Sequence, residues 1–227
     1  MPKKVKKVIL FIVEGPTEET SLSPICKKIF QREDVRFHVV HGDITTAQEI
    51  GSTNAVTEVT KHICLEMERY GFRRSDILKI IHIIDTDGSF IPDSCVKLGT
   101  EQKIHYEATE IRTSNPQTIR NRNHKKSSVI QRLYSTNKIG TIPYKIYYFS
   151  RNMEHVLHNI SIALSDDKKT EYADLFADKY TNNTEDFIHF LTYSEFSTPG
   201  SYLESWKYIF SGLNSLQRHS NIHLLFS

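Results

Sequence analysis

"ILKIIHIIDTDG", residues 77–88, decides how the rest of the chain is read. Its aliphatic, β-branched run has no alternation of apolar and polar residues, so it reads as a strand buried on both faces, the kind found in parallel sheets. The run ends abruptly in Asp85, Thr86, Asp87 and Gly88. Two residues apart on an extended segment, Asp85 and Asp87 point the same way. Working outward, "VILFIVEGPTEE", residues 8–19, has the same form: an apolar run, then Glu14, a Gly-Pro turn, and Glu18 and Glu19. Further along, "YKIYYFS", residues 144–150, is another strand, with a helix expected from about Met153.

The intervening segments are helical or extended. Residues 16–33 carry a helical face through Leu22, Ile25, Cys26, Ile29 and Phe30 despite Pro24. "RFHVVHG", residues 36–42, reads as a strand. Residues 53–71 space Val56, Val59, Ile63 and Met67 by three or four and stop at Gly71, a glycine C-cap. Strands alternating with helices define an α/β protein whose mainly parallel sheet is flanked by helices through right-handed crossovers. Ligands of such sheets sit beyond the carboxyl ends of the strands. That rule predicts Glu14, Asp85 and Asp87 on one rim. Grouped carboxylates repel unless a cation joins them, and oxygen-only donors favour Mg²⁺ or Mn²⁺. Such an ion activates water and neutralises charge on a phosphodiester undergoing in-line displacement.

The bulk composition is that of a globular protein: 227 residues, 38% hydrophobic, 25% charged, formal net charge +2. Cys26, Cys64 and Cys95 are widely spaced and odd in number, which argues against a disulfide framework or a zinc site and fits a reducing cytosol. The start, "MPKKVKKVILFIVEG", places a basic run before an apolar one, but the apolar run stops at Glu14. It is shorter than the roughly 7–15 residues of a signal-peptide core. No stretch approaches the ~18 apolar residues of a membrane span, so the expectation is a cytoplasmic protein without a membrane partner.

The two acidic motifs together resemble the TOPRIM domain of topoisomerases, bacterial primases and small processing nucleases. A Glu-Gly pair after a strand, with a second acid four positions on, is matched by Glu14 and Glu18, and Asp-x-Asp after a later strand by Asp85 and Asp87. The resemblance covers roughly residues 5–160 and is nearest to the stand-alone OLD-like and RloB-like TOPRIM proteins of bacterial defence systems. It implies Mg²⁺ or Mn²⁺ held by Asp85 and Asp87, with Glu14 as metal ligand or general acid-base. Glu18 would help place a second ion or the attacking water. "YYFSRNMEHVLHN", residues 147–159, looks like the family's later strand and helix start, making Glu154 a further acid and Arg151 a phosphate contact. The resemblance also implies a metal-dependent nuclease acting in anti-phage defence with an ABC- or AAA-type ATPase partner; homo-oligomerisation is left open. There is no cleavage-tyrosine domain as in topoisomerases and no zinc-ribbon cysteines as in primases. The expected domains are a TOPRIM-like core over residues 1–160, with a basic insertion at about 100–143, and a helical C-terminal extension over 161–227.

From Arg112 to Lys145 there are eight Lys or Arg residues and no acid. Arg120, Arg122, Lys125, Lys126 and Arg132 are the cations expected to hold a nucleic-acid backbone. From Ser165 to Phe196 the balance inverts, eight acids against three lysines, a face suited to solvent or to a basic partner. Tyr202, Trp206, Tyr208 and Phe210 read as core aromatics, with Lys207 and Arg218 as further phosphate contacts. His155 and His158 lie three apart, yet no third ligand motif makes them a zinc site.

Two rivals remain at this level. "IIDTDGSF", residues 83–90, resembles the first motif of haloacid-dehalogenase-like (HAD-like) phosphatases, with Asp85 as nucleophile and Asp87 as acid-base. Ser150 and the pair Asp166 and Asp167 would imitate that family's other motifs. Two preceding strands and the unexplained Glu14 and Glu18 count against it. The second rival is a non-catalytic nucleic-acid-binding subunit, which would tolerate Asp85→Asn.

Overall fold

The computed structural model describes residues 6–100 and 103–227. The first elements are β1 (Val8–Val13), α1 (Pro16–Ile29), β2 (Asp34–Val39), α2 (Ala55–Tyr70) and β3 (Ile77–Asp85). Next come β4 (Val96–Leu98), β5 (His105–Tyr106), β6 (Ile111–Thr113), α3 (Pro116–Tyr134), β7 (Lys138–Ile139) and β8 (Ile142–Ser150). The chain continues through α4 (Met153–His158), α5 (Asp166–Tyr180), α6 (Thr184–Tyr193), α7 (Tyr202–Ile209) and β9 (His219–Ser220). It is an α/β protein. A six-stranded sheet runs in the order β2-β1-β3-β8-β7, with β9 on β8, and a smaller sheet runs β4-β6-β5.

The large sheet is mixed, where the sequence predicts a mainly parallel one. β1 pairs in parallel with β2 and β3, but β7 and β9 both lie antiparallel to β8. The reason is local: only Gly140, at φ +60°, and Thr141 separate β7 from β8. A two-residue connection makes a hairpin, and hairpin strands are antiparallel. The segment 161–227, expected to be helical, also supplies the strand β9.

Two compact units share the chain. The first takes the chain up to Ile83, then Val129–Ile146 and Thr170–Thr184. All six residues of β1 are buried, and Phe11 stacks on its register partner Phe37 at 4.5 Å between ring centroids. Burying such side chains contributes about 1.5–3 kcal/mol each before entropy is counted. Across α2, Ala55, Val59, Ile63 and Glu66 are buried, and Gly71 ends the helix at φ +69° with its N–H on the Met67 carbonyl. The buried face is therefore turned slightly from the predicted one. Glu66 is drawn inward because its carboxylate meets His38 of β2 at 2.8 Å.

The second unit comprises Ile84–Ser128, Tyr147–Lys169 and Glu185–Ser227. Its small sheet and the start of α3 enclose Ile91, Val96, Ile111, Ile119 and Leu216. Tyr148 packs edge-on against the fully buried Trp206 and donates its hydroxyl to Thr198 at 2.9 Å. Of the predicted core aromatics, Trp206 lies in the core and Tyr208 is exposed. Among the described residues no helix is long and apolar enough to cross a membrane.

Candidate functional site

The Asp-Thr-Asp-Gly turn that ends β3 is held by backbone bonds on every side. Thr86 N–H donates to the Phe149 carbonyl, Asp87 N–H to the Arg151 carbonyl and Gly88 N–H to the Ser215 carbonyl, at 2.9–3.0 Å. The Thr86 hydroxyl also donates to Ser215 O at 2.8 Å. Asp87 and Gly88 both take left-handed backbone, at φ +49° and +69°. Aspartate tolerates that region and glycine has no Cβ to clash, which explains this pair of residues at this point.

Asp85 and Asp87 are each half-buried. The Asp87 carboxylate receives the ammonium of Lys126 at 2.6 Å, and the Lys126 side chain is fully buried. Four residues earlier on α3, Arg122 donates to the Asp87 carbonyl at 2.9 Å and to the Tyr106 hydroxyl at 2.8 Å. The i,i+4 spacing puts both cations on one face of the helix. Arg151 follows β8, is 4% exposed, and lies over the Tyr106 ring at 4.7 Å. Its guanidinium donates to Ser161 O at 2.6 Å and sits in the field of Asp87, Asp85 and Glu154, while its Nε–H is buried without a partner. Glu154, near the start of α4, is buried and lies 3.7 Å from Lys169. Burial raises the Tyr106 phenol above its ordinary value and the nearby Asp87 adds to the rise, so it remains a neutral donor and acceptor.

Glu14 and Glu18 belong to the first unit, at the turn from β1 into α1. Glu14 is half-buried, and its carbonyl accepts from Gly42 N–H. Glu18 is buried and turns its carboxylate back on its own turn, accepting from Gly15 N–H at 3.0 Å and the Thr17 hydroxyl at 3.3 Å. An acid at the third position of a helix commonly caps the helix start in this way. β1 and β3 are parallel neighbours, so in each the buried run gives way to acids at its carboxyl end.

The cations of residues 112–145 do not share one outward face. Arg112 is bound to Glu107 and Glu110. Arg120 spans to the carbonyls of Asp93 and Val96. Arg122 and Lys126 point to Asp87, Lys125 is half-buried, and Arg132 is exposed. The cause is the stripe Ile119, Asn123, Lys126, Ile130 and Leu133, all buried at spacings of three and four. Of the residues a HAD-like phosphatase would use, Ser150 gives its hydroxyl to the carbonyls of Asn214 and Gln217, and Asp166 and Asp167 are exposed at the start of α5.

As donors, the rim acids suit a hard divalent cation, but the arrangement does not. Among the described residues no group of three or more His, Cys, Asp or Glu side chains could hold a metal ion. The positive charge beside Asp87 is already supplied by Lys126 and Arg151. These residues as placed do not fit a metal centre, and no chemical step is drawn through one.

Sequence reading missed a half-buried polar chain in the first unit. His38 bonds Glu66 through Nδ1 and His62 through Nε2, both at 2.8 Å, and His62 lies 3.9 Å from Glu58. The available signal was the i,i+4 pairs Glu58–His62 and His62–Glu66 on a helix otherwise read for its apolar face. No protein-family model, no curated protein and no solved structure matches the chain.

Proposed function

We propose that the chain is a TOPRIM-like nuclease that hydrolyses nucleic-acid phosphodiesters at the Asp85–Asp87 turn. The observation that carries this reading is the buried Lys126 ammonium on the Asp87 carboxylate, with the Arg122 guanidinium on the Asp87 carbonyl and the charge of Arg151 acting on Asp85 and Asp87. Paired carboxylates with fixed cations are what phosphoryl chemistry needs. Cations draw charge from the non-bridging oxygens, and preorganised positive charge in a partly dry site stabilises the five-coordinate transition state. The water oxygen bonds to phosphorus as Asp85 takes its proton, the bond from phosphorus to the leaving oxygen breaks, and Asp85 returns that proton to the leaving oxygen. Lys126 holds the Asp87 carboxylate in place. Glu154 is a second carboxylate in the same electrostatic surroundings, since it and Asp85 both act on Arg151.

Roles for Glu14 and Glu18, anti-phage defence and the ATPase partner enter by the TOPRIM resemblance; the Mg²⁺ or Mn²⁺ that it also implies has no part in the step above. The test is incubation with end-labelled single-stranded DNA, duplex DNA and structured RNA, with Mn²⁺ and with EDTA, followed by product end-group analysis. Internal or terminal cleavage of one substrate class supports the reading. Hydrolysis of a chromogenic phosphate monoester without any strand cleavage would replace it by a phosphatase. Binding without cleavage by folded protein would replace it by the non-catalytic subunit.

A further inference from the structure

Beside the turn, within the second unit, lies a cavity of 410 Å³ whose wall includes Tyr106, Arg151, His155, Ser161, Gln217 and Arg218. Its size is in the range of about 300–1,000 Å³ occupied by small ligands. Its cationic groups are the guanidiniums of Arg151 and Arg218. Arg151 is nine-tenths buried and more, and keeps its Nε–H unpartnered. A buried guanidinium N–H without an acceptor costs the full desolvation of that donor, so such a group normally has a partner. The Arg218 guanidinium donates Nε and Nη2 to the carbonyls of His155 and Val156 and is half-buried, which fixes the side chain in the wall. His155 Nδ1 lies 3.4 Å from the main-chain N–H of Arg151, which places the ring against the backbone that carries Arg151. The one acid in the wall, Glu107, is exposed and paired with Arg112 at 3.1 Å.

We propose that this cavity binds a phosphate monoester, the chemistry shared by a 5′-phosphorylated strand end and a free nucleotide. Two guanidinium groups match the two charges of a monoester, and planar N–H forks match its oxygens. The Arg151 guanidinium is held in the wall by the carbonyls of Tyr106 and Ser161, at 3.4 and 2.6 Å, and supplies its charge from there. Of the three acids that act on Arg151, Asp87 is paired with Lys126 and Glu154 lies 3.7 Å from Lys169, which leaves Asp85 as the carboxylate that a bound anion would face across Arg151. Burial together with the neighbouring Arg151 and Arg218 lowers the His155 pKa to about 4, so the ring lines the wall uncharged. Binding at this cavity does not depend on the chain being a nuclease.

The test is isothermal titration with inorganic phosphate, a nucleoside 5′-monophosphate, and one oligonucleotide prepared with either a 5′-phosphate or a 5′-hydroxyl. The expected result is at least tenfold tighter binding of the 5′-phosphorylated form, or binding of the free monophosphate at similar strength. A tighter oligonucleotide identifies a strand end as the source, and a tighter monophosphate identifies the free nucleotide. Gln217→Glu, a near-isosteric change that adds a negative charge to the wall, removes the preference while the melting temperature is kept. Arg218→Gln lowers it as well. Equal affinity for the two oligonucleotide forms without binding of either free phosphate overturns the proposal, as does an unchanged preference in folded Gln217→Glu protein.

Discussion

The ammonium of Lys126 and the carboxylate of Asp87 meet at 2.6 Å at the end of β3, the lysine wholly out of solvent and the aspartate in left-handed backbone. Breaking a buried pair by removing one partner costs about 3–5 kcal/mol, because the remaining charge is stranded. Asp87 is 27% exposed, which lets water recover part of that loss. Lys126→Met is therefore expected to cost about 2–3 kcal/mol, or about 5–10 °C in melting temperature for a chain of this size. Lys126→Met with Asp87→Asn should cost less than the sum of the two single changes in a double-mutant cycle. Strict additivity would mean that the pair is not coupled.

This relationship was out of reach of the sequence, and the reason is physical. Lysine and arginine at 120, 122, 125 and 126 look alike in composition whether they face water or a buried carboxylate. The only sign was the four-residue step from Arg122 to Lys126, aligned with Ile119 and Ile130. β1 and β3 were legible because strands buried on both faces lose their alternation, β8 because its apolar and aromatic residues alternate and then run on buried, and α2 because Gly71 ends it. β4, β5, β6, β7 and β9 are two or three residues long, too short to show any period. The mixed character of the sheet followed from those same short strands, so it too was hidden. Glu18 read as a site acid because a helix-capping glutamate and a ligand glutamate occupy the same place in sequence.

Gly88 constrains the turn from the other side. It lies at φ +69°, and a Cβ there would meet Leu216 Cδ1 at 3.1 Å and Ile111 Cδ1 at 3.2 Å. Gly88→Ala is expected to destabilise by roughly 1–3 kcal/mol, combining left-handed strain with contact against a packed core. Chemical denaturation would show a lower midpoint at unchanged slope. An unaltered midpoint would mean that the turn relaxes freely.

The first unit carries an acid-sensitive group. His82 is fully buried, hydrogen-bonded to the Tyr144 hydroxyl at 2.8 Å, and burial lowers its pKa from 6.5 to about 3. Asp43 opposes that shift, and His62 and His38 reinforce it. With the folded pKa below the unfolded one, the unfolded chain binds the extra proton between these values. Stability is then complete above about pH 6.5 and falls as pH drops toward 3, by roughly 3 kcal/mol at pH 4 for this group. His82→Gln keeps a partner for Tyr144 without a proton to gain. It should lose less stability than wild type between pH 7 and pH 4, and parallel pH profiles would contradict this.

The central claim is that the acids ending β3 perform phosphodiester hydrolysis. Asp85 is half-buried at the strand end, and Asp85→Asn changes its charge while keeping its shape. The most direct measurement is cleavage of labelled DNA, ribosomal RNA and tRNA by wild type and Asp85→Asn side by side, with melting curves for both and with Mn²⁺ or EDTA present. The account predicts that wild type cuts one substrate class and that Asp85→Asn loses at least a hundredfold in rate, the order expected for a lost general base, with its fold intact. Equal cutting by the two proteins, or no cutting by well-folded wild type in any condition, would contradict it.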